Sequence, residues 1–94
     1  MKKVANIAHL FHVPVAPHVI WSSPLNAIIT AHVSASIYNF VICESLGPHG
    51  LELYKDLFNP PILPENGYLK IPERPGLGVE LNEDNLTKKY EYPF

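Results

Sequence analysis

Two apolar runs with a helix-length segment between them constrain this 94-residue chain more than any other feature. Val13-Pro14-Val15-Ala16 is the first run, and "NFVICE", Asn39 to Glu44, is the second, finishing on an acid. Neither alternates apolar with polar residues, as a strand with one wet face does. Continuous runs of this kind mark strands buried on both faces, the pattern of parallel sheets covered by helices. Between them, after Pro17-His18 ends the first run, Ser23 offers an N-cap hydroxyl. Pro24 takes the first helical position, where its missing N–H costs nothing. Leu25, Ile28, Ile29, His32, Val33 and Ser36 fall on one helix face and Asn26, Thr30 and Ser34 on the other, so the spacing predicts a helix to about Ile37. The three segments make a βαβ unit, for which a right-handed crossover is expected.

The flanks differ in character. Upstream, Val4, Ile7, Ala8 and Phe11 recur at helical spacing, which predicts an amphipathic helix over Lys2 to Phe11 with no capping residue before it. Downstream of Glu44, seven of the ten prolines and all five glycines punctuate the chain. A short helix is expected within Leu51 to Phe58, and Asn66-Gly67 signals a hairpin turn between short extended pieces. Asn82 is placed to cap a final helix, with Glu83 and Asp84 in its first turn and Lys88 and Lys89 near its end, complementing the helix dipole. The organisation is therefore a helix–strand–helix–strand unit over residues 1–44 and a Pro/Gly-rich tail with a terminal helix over 45–94.

Composition narrows the function classes. Apolar residues make up 47% and charged residues 17%, which excludes a disordered chain. A net charge of −2 leaves no electrostatic footprint for nucleic acid or an anionic membrane. Asn6, His9 and His12 interrupt what would be a signal-peptide core behind Lys2 and Lys3, and no run approaches the ~20 apolar residues of a membrane span. The single cysteine, Cys43, has no internal disulfide partner, which fits a reducing, cytoplasmic setting. A soluble, unprocessed chain is expected.

Each apolar run ends at one ionisable group, His18 and Glu44. Their 26-residue separation is about one βα repeat, so adjacent parallel strands would bring both to the same sheet edge. Carboxyl-terminal strand ends are where barrels and open sheets place their chemistry. Histidine can exchange a proton near neutral pH, and a glutamate there can orient a polar substrate or stay protonated to donate a hydrogen bond. The competing reading is that both side chains only solvate strand ends. Trp21 either walls a pocket above His18 or packs as core. A Ser–His–Glu triad using Ser22 or Ser23 lacks the G-x-S-x-G elbow. His9, His12, His18, His32, His49 and Cys43 match no zinc spacing, and His32, on the apolar stripe, reads as a satisfied core histidine. Gly76 and Gly78 in "PGLG" do not form a phosphate loop, because no strand precedes them and no helix follows directly.

Taken together, "VPVAPH", "SPLNAIITAHVSASIYNFVICES" and "GYLKIPERPGLGVEL" resemble the carboxyl-terminal end of the enolase superfamily in its mandelate racemase and muconate lactonizing branch. The acid-sugar dehydratases are the most similar group, through "ESLGPH" at Glu44–His49. The resemblance spans nearly the whole chain. It implies an α/β architecture: the last two strands, the C-terminal βαβ portion, of a (β/α) TIM-like barrel, followed by an irregular C-terminal tail. Val13–His18 would be the seventh strand and Asn39–Glu44 the eighth. The resemblance also assigns roles. His18 matches the catalytic histidine that acts on the substrate carbon or leaving hydroxyl, and Glu44 matches the acid that hydrogen-bonds the substrate carboxylate as the enediolate forms.

The implied chemistry is removal of the α-proton from a sugar acid and loss of water, with racemisation as a related outcome. Mg2+ is implied for the complete enzyme, whose metal-binding carboxylates belong to strands with no counterpart in this sequence. The chain is therefore expected to hold no cofactor itself and to be inactive alone. Its partners are expected to be a sugar acid in the complete enzyme and either a second copy of the chain or a chain carrying the missing barrel. The alternative is a non-catalytic remnant that self-associates or binds a partner.

Overall fold

The computed structural model describes residues 1–19, 23–44, 47–52 and 54–86. It begins with α1, Lys2–Leu10, and the apolar spacing read from the sequence is helical as expected. What ends α1 is not a glycine. His12 adopts φ 55°, its N–H donates to the His9 carbonyl at 3.0 Å, and the Val13 N–H donates to the Ala8 carbonyl at 2.9 Å. This is a Schellman closure, which usually places glycine at the left-handed position. The apolar stripe of α1 is largely uncovered: Val4, Ile7 and Phe11 are exposed and Ala8 is half-buried, while Ala5 beside the stripe is buried.

Helix α2, Pro24–Ala35, starts where Pro24 predicted and stops at Ser36, slightly short of Ile37. Two details differ from the sequence reading. The Ser23 side chain makes no capping bond, and its carbonyl instead accepts from the Asn26 N–H at 2.9 Å. The buried face is also rotated from the one expected. Ala27, Ile28, Thr30 and Ser34 are buried, whereas Ile29 is exposed. Ile28 lies on both the expected and the observed face; the rotation brings Ala27, Thr30 and Ser34 inward and turns Ile29 outward.

The tail forms more structure than a string of turns. α3 occupies Gly47–Glu52, and a single 3₁₀ turn follows at Lys55–Leu57, so the expected Leu51–Phe58 helix is displaced towards the amino terminus. β1, Phe58–Asn59, pairs antiparallel with β4, Glu80–Leu81. β2, Pro64–Glu65, pairs antiparallel with β3, Tyr68–Leu69, around the expected Asn-Gly turn, with positive φ at both Asn66 and Gly67. After Asn82 the described chain makes one 3₁₀ turn, Glu83–Asn85, and Lys88 and Lys89 lie outside the described residues.

The core joins both halves of the sequence. Val19 and Ala27 cluster with Leu51, and Cys43, Leu63 and Leu69 pack against them. His32 is the satisfied histidine the stripe suggested: its Nε2 donates to the Leu77 carbonyl at 3.0 Å, fastening α2 to the "PGLG" turn. Among the described residues no helix is long and apolar enough to cross a membrane.

Candidate functional site

The two apolar runs do lie side by side and parallel, but not as continuous strands. Their contact consists of two parallel bridges, Val15 with Phe40 and His18 with Glu44. Four hydrogen bonds build it. The Val15 N–H donates to the Asn39 carbonyl at 2.7 Å and the Val41 N–H to the Val15 carbonyl at 3.1 Å. Further along, the Glu44 N–H donates to the Pro17 carbonyl at 2.9 Å and the Val19 N–H to the Glu44 carbonyl at 2.8 Å. The sequence reading ended the first run at Pro17-His18; the pairing instead continues through Val19.

The spacing between the bridges is uneven. From Val15 to His18 is three steps, but from Phe40 to Glu44 is four. One residue of the second segment is therefore looped out, a bulge in a parallel pair. Asn39 anchors the entry to this region, its Nδ2 donating to the Ala5 carbonyl at 3.1 Å and the Val13 carbonyl at 2.8 Å. A single side chain thus ties the middle of α1 to the start of both paired segments. That role is not visible in the amino-acid pattern, where Asn39 reads only as the head of the second run.

At the far bridge the two candidate residues meet. His18 Nε2 lies 3.4 Å from Glu44 Oε1, and the side chains are 60% and 62% exposed. Both therefore emerge together on an open face, within reach of a substrate that bridges them. Cys43, one residue earlier, turns the other way. It packs against the Val19–Ala27–Leu51 cluster, and burial raises its thiol above the usual range. Trp21 and Ser22 lie outside the described residues, as does the His49 side chain.

The remaining candidates separate. His9 faces Tyr38, ring centroids 5.8 Å apart, and His12 serves the α1 closure. Among the described residues no three His, Cys, Asp or Glu side chains converge. The "PGLG" segment is a turn closed by the Gly78 N–H on the Pro75 carbonyl at 3.2 Å. A cleft of about 630 Å³ lies between Ile28 of α2 and the tail, walled by Pro61, Leu63, Leu69 and Val79. It contains neither His18 nor Glu44.

Comparison with known proteins decides what this arrangement belongs to. Residues 1–85 match the family model described as "Enolase C-terminal domain-like". The chain belongs to that family. It is 38% identical over 85 residues to D-xylonate dehydratase of Haloferax volcanii, a match covering 88% of this chain and 20% of that protein. It is 32% identical over 87 residues to muconate cycloisomerase 1 of Acinetobacter baylyi, covering 92% and 23%. It is 34% identical over 87 residues to a D-galactonate dehydratase family member of a Paenibacillus species, covering 87% and 20%.

Among solved structures, a mandelate racemase/muconate lactonizing enzyme-like protein from Rubrobacter xylanophilus superposes with a TM-score of 0.75 at 34% identity, over 88% of this chain and 21% of that one. This enolase-superfamily chain thus spans about a fifth of the length of the curated relatives it matches.

Proposed function

We propose that this chain is the carboxyl-terminal part of a magnesium-dependent sugar-acid dehydratase, and that it is inactive by itself. The observation that carries the reading is the pairing of His18 with Glu44 on adjacent parallel segments, in a chain whose relatives include D-xylonate dehydratase and a D-galactonate dehydratase family member. In this reading the segments ending at His18 and Glu44 are the last two strands of a (β/α) barrel, and the enzyme works in the cytoplasm.

The chemistry assigned to the pair is proton transfer and orientation. His18 exchanges a proton with the carbon next to the substrate carboxylate or with the departing hydroxyl, a contribution worth about 10²–10⁴-fold in rate. Glu44 hydrogen-bonds the substrate carboxylate and holds it at that distance from the imidazole. Breaking the α C–H bond and the β C–O bond releases water, and the resulting enol tautomerises to a 2-keto-3-deoxy acid. Magnesium favours near-ideal octahedral coordination by oxygen ligands. Glu44 is the one hard oxygen ligand at the pair, its neighbour is an imidazole nitrogen, and among the described residues no three His, Cys, Asp or Glu side chains converge; in this reading the metal is held by the remainder of the enzyme.

Activity tests the proposal. The purified chain with magnesium is expected to form no 2-keto-3-deoxy acid from D-xylonate or D-galactonate. Co-expressed with the remaining strands of an acid-sugar dehydratase, it is expected to restore product on at least one acid of a panel. Failure on the whole panel, where the same remainder works with its own carboxyl-terminal segment, overturns the reading.

A second reading rests on the surface. Val41 and Ile42 are 64% and 65% exposed, and Val4, Ile7, Leu10 and Phe11 are also bare. Contiguous apolar exposure beyond a few hundred Å² marks association sites on soluble proteins, and open strand edges invite pairing. A non-catalytic remnant would cover these residues with a second copy of itself. Light scattering separates the two: self-association without any restored activity favours the remnant.

A further inference from the structure

We propose that Pro17 is a positioning residue: it removes one rung of the parallel pairing, and the bulge that results sets Glu44, rather than Cys43, beside His18. In a regular parallel ladder every second residue of a strand both donates to and accepts from its neighbour. Val15 does so, donating to Asn39 and accepting from Val41. The next such position is Pro17. A regular ladder would have its N–H donate to the Val41 carbonyl and its carbonyl accept from the Cys43 N–H.

Proline has no N–H to give. The rung to Val41 is missing, and from that point the pairing runs one residue ahead: the Pro17 carbonyl accepts from Glu44, and Val19 donates to Glu44. The gap and the slip fall at the same residue. Proline inside a sheet is confined to edges, strand starts and bulges, and this is the third case.

The slip matters because of which face each side chain takes. Without the bulge, His18 would pair with Cys43, and bridged residues in a parallel pair point the same way. Cys43 would then turn to the open face and Glu44 into the Val19–Ala27–Leu51 cluster. With it, the thiol faces the core and the carboxylate faces His18. Bulges recur next to active sites because they re-aim a side chain in this manner. The catalytic meaning of the placement rests on the functional reading above; the placement itself does not.

Disulfide formation in the full chain reads the register. One chain carries His18→Cys and Glu44→Cys with Cys43→Ala; a second carries His18→Cys opposite the native Cys43. A disulfide needs Cβ atoms ~3.5–4.5 Å apart, and a one-residue slip moves the partner ~3.3 Å and flips its face. The 18–44 pair should therefore close at least about tenfold faster than the 18–43 pair. Adding Pro17→Ala should shrink that ratio at least about tenfold.

Deleting Ile42 gives the second arm. With Pro17 present it should slow 18–44 closure, because the slip then leaves Glu44 one residue short of His18. With Pro17→Ala it should restore fast closure, because a regular ladder one residue shorter again sets 44 opposite 18. Fast 18–44 closure after the Ile42 deletion alone, or an unchanged ratio in Pro17→Ala, overturns the proposal. No substrate enters this assay, so its failure leaves the dehydratase reading standing, and an inactive reconstituted enzyme leaves the register result standing.

Discussion

Gly78→Ala should be far more damaging than Gly76→Ala, although both glycines sit in the same turn at nearly the same backbone angle. Gly76 has φ 67° and Gly78 φ 75°. An L-residue at such an angle costs about 1–2 kcal/mol, offset by about 0.4–1 kcal/mol from the reduced freedom of the unfolded chain. Both substitutions share that net penalty of roughly 0–1.5 kcal/mol. They differ in space. A Cβ on Gly76 meets nothing within 4 Å, whereas one on Gly78 would lie 2.5 Å from Pro72 Cβ and 3.1 Å from the Pro72 carbonyl oxygen.

Ordinary carbon contacts are about 3.5–4.0 Å, so the overlap at Gly78 is about 1 Å. The obstacle is a proline ring carbon and backbone, which cannot rotate aside. Overpacking of this kind adds about 1–3 kcal/mol. Relief would have to come from the turn itself, whose Leu77 carbonyl accepts the His32 bond. The expected difference between the two variants is therefore about 2 kcal/mol, or roughly 8–16 °C in Tm for a domain of this size. Urea and thermal unfolding of the three chains measure it. Equal destabilisation by the two substitutions would refute the steric argument and the placement of the turn against Pro72.

Other expectations follow from single contacts. Leu51→Ala empties the centre of the buried cluster and should cost about 2–5 kcal/mol in urea unfolding, whereas Ile29→Ala, at an exposed position, should cost well under half of that. His12→Gly should stabilise the chain by up to about 1 kcal/mol, since a non-glycine residue occupies the left-handed position that closes α1; a loss of Tm would contradict this. Burial raises the Cys43 thiol, so alkylation by iodoacetamide should reach half-maximal rate at a higher pH than in the unfolded chain. The linked stability is fully present below the unfolded-state value, ~8.5, and falls as pH rises from there towards the folded value; Cys43→Ala should lessen that alkaline loss.

How much of this was legible in the sequence depends on whether a feature is local or relational. The α1 spacing, Pro24 at the start of α2 and the Asn66-Gly67 hairpin are local rules and appear where they were read. The parallel adjacency of His18 and Glu44 was also legible, because the length of a βα repeat fixes it. The α2 face was not, since the apolar spacing places Ile29 on the inner face and Thr30 and Ser34 on the outer one, whereas Thr30 and Ser34 are buried and Ile29 is exposed. The α1 closure was hidden because His12 stands where glycine is usual. The bulge was hidden differently: Pro17 was read as an end to the strand, yet a proline in a parallel pair can also shift the register and let the pairing go on. The bare apolar residues of α1 and the second run show that the sequence encodes a surface these residues do not themselves cover.

The most direct test of the account is the rate of water loss from an acid sugar by the reconstituted enzyme, compared between the native chain and His18→Asn. Asparagine keeps the polarity and approximate size of the imidazole but cannot exchange a proton. The account predicts that kcat falls by about 10²–10⁴-fold while assembly with the remaining strands, followed by light scattering, is unchanged. An assembled His18→Asn enzyme that turns over at the native rate would contradict the role given to the His18–Glu44 pair.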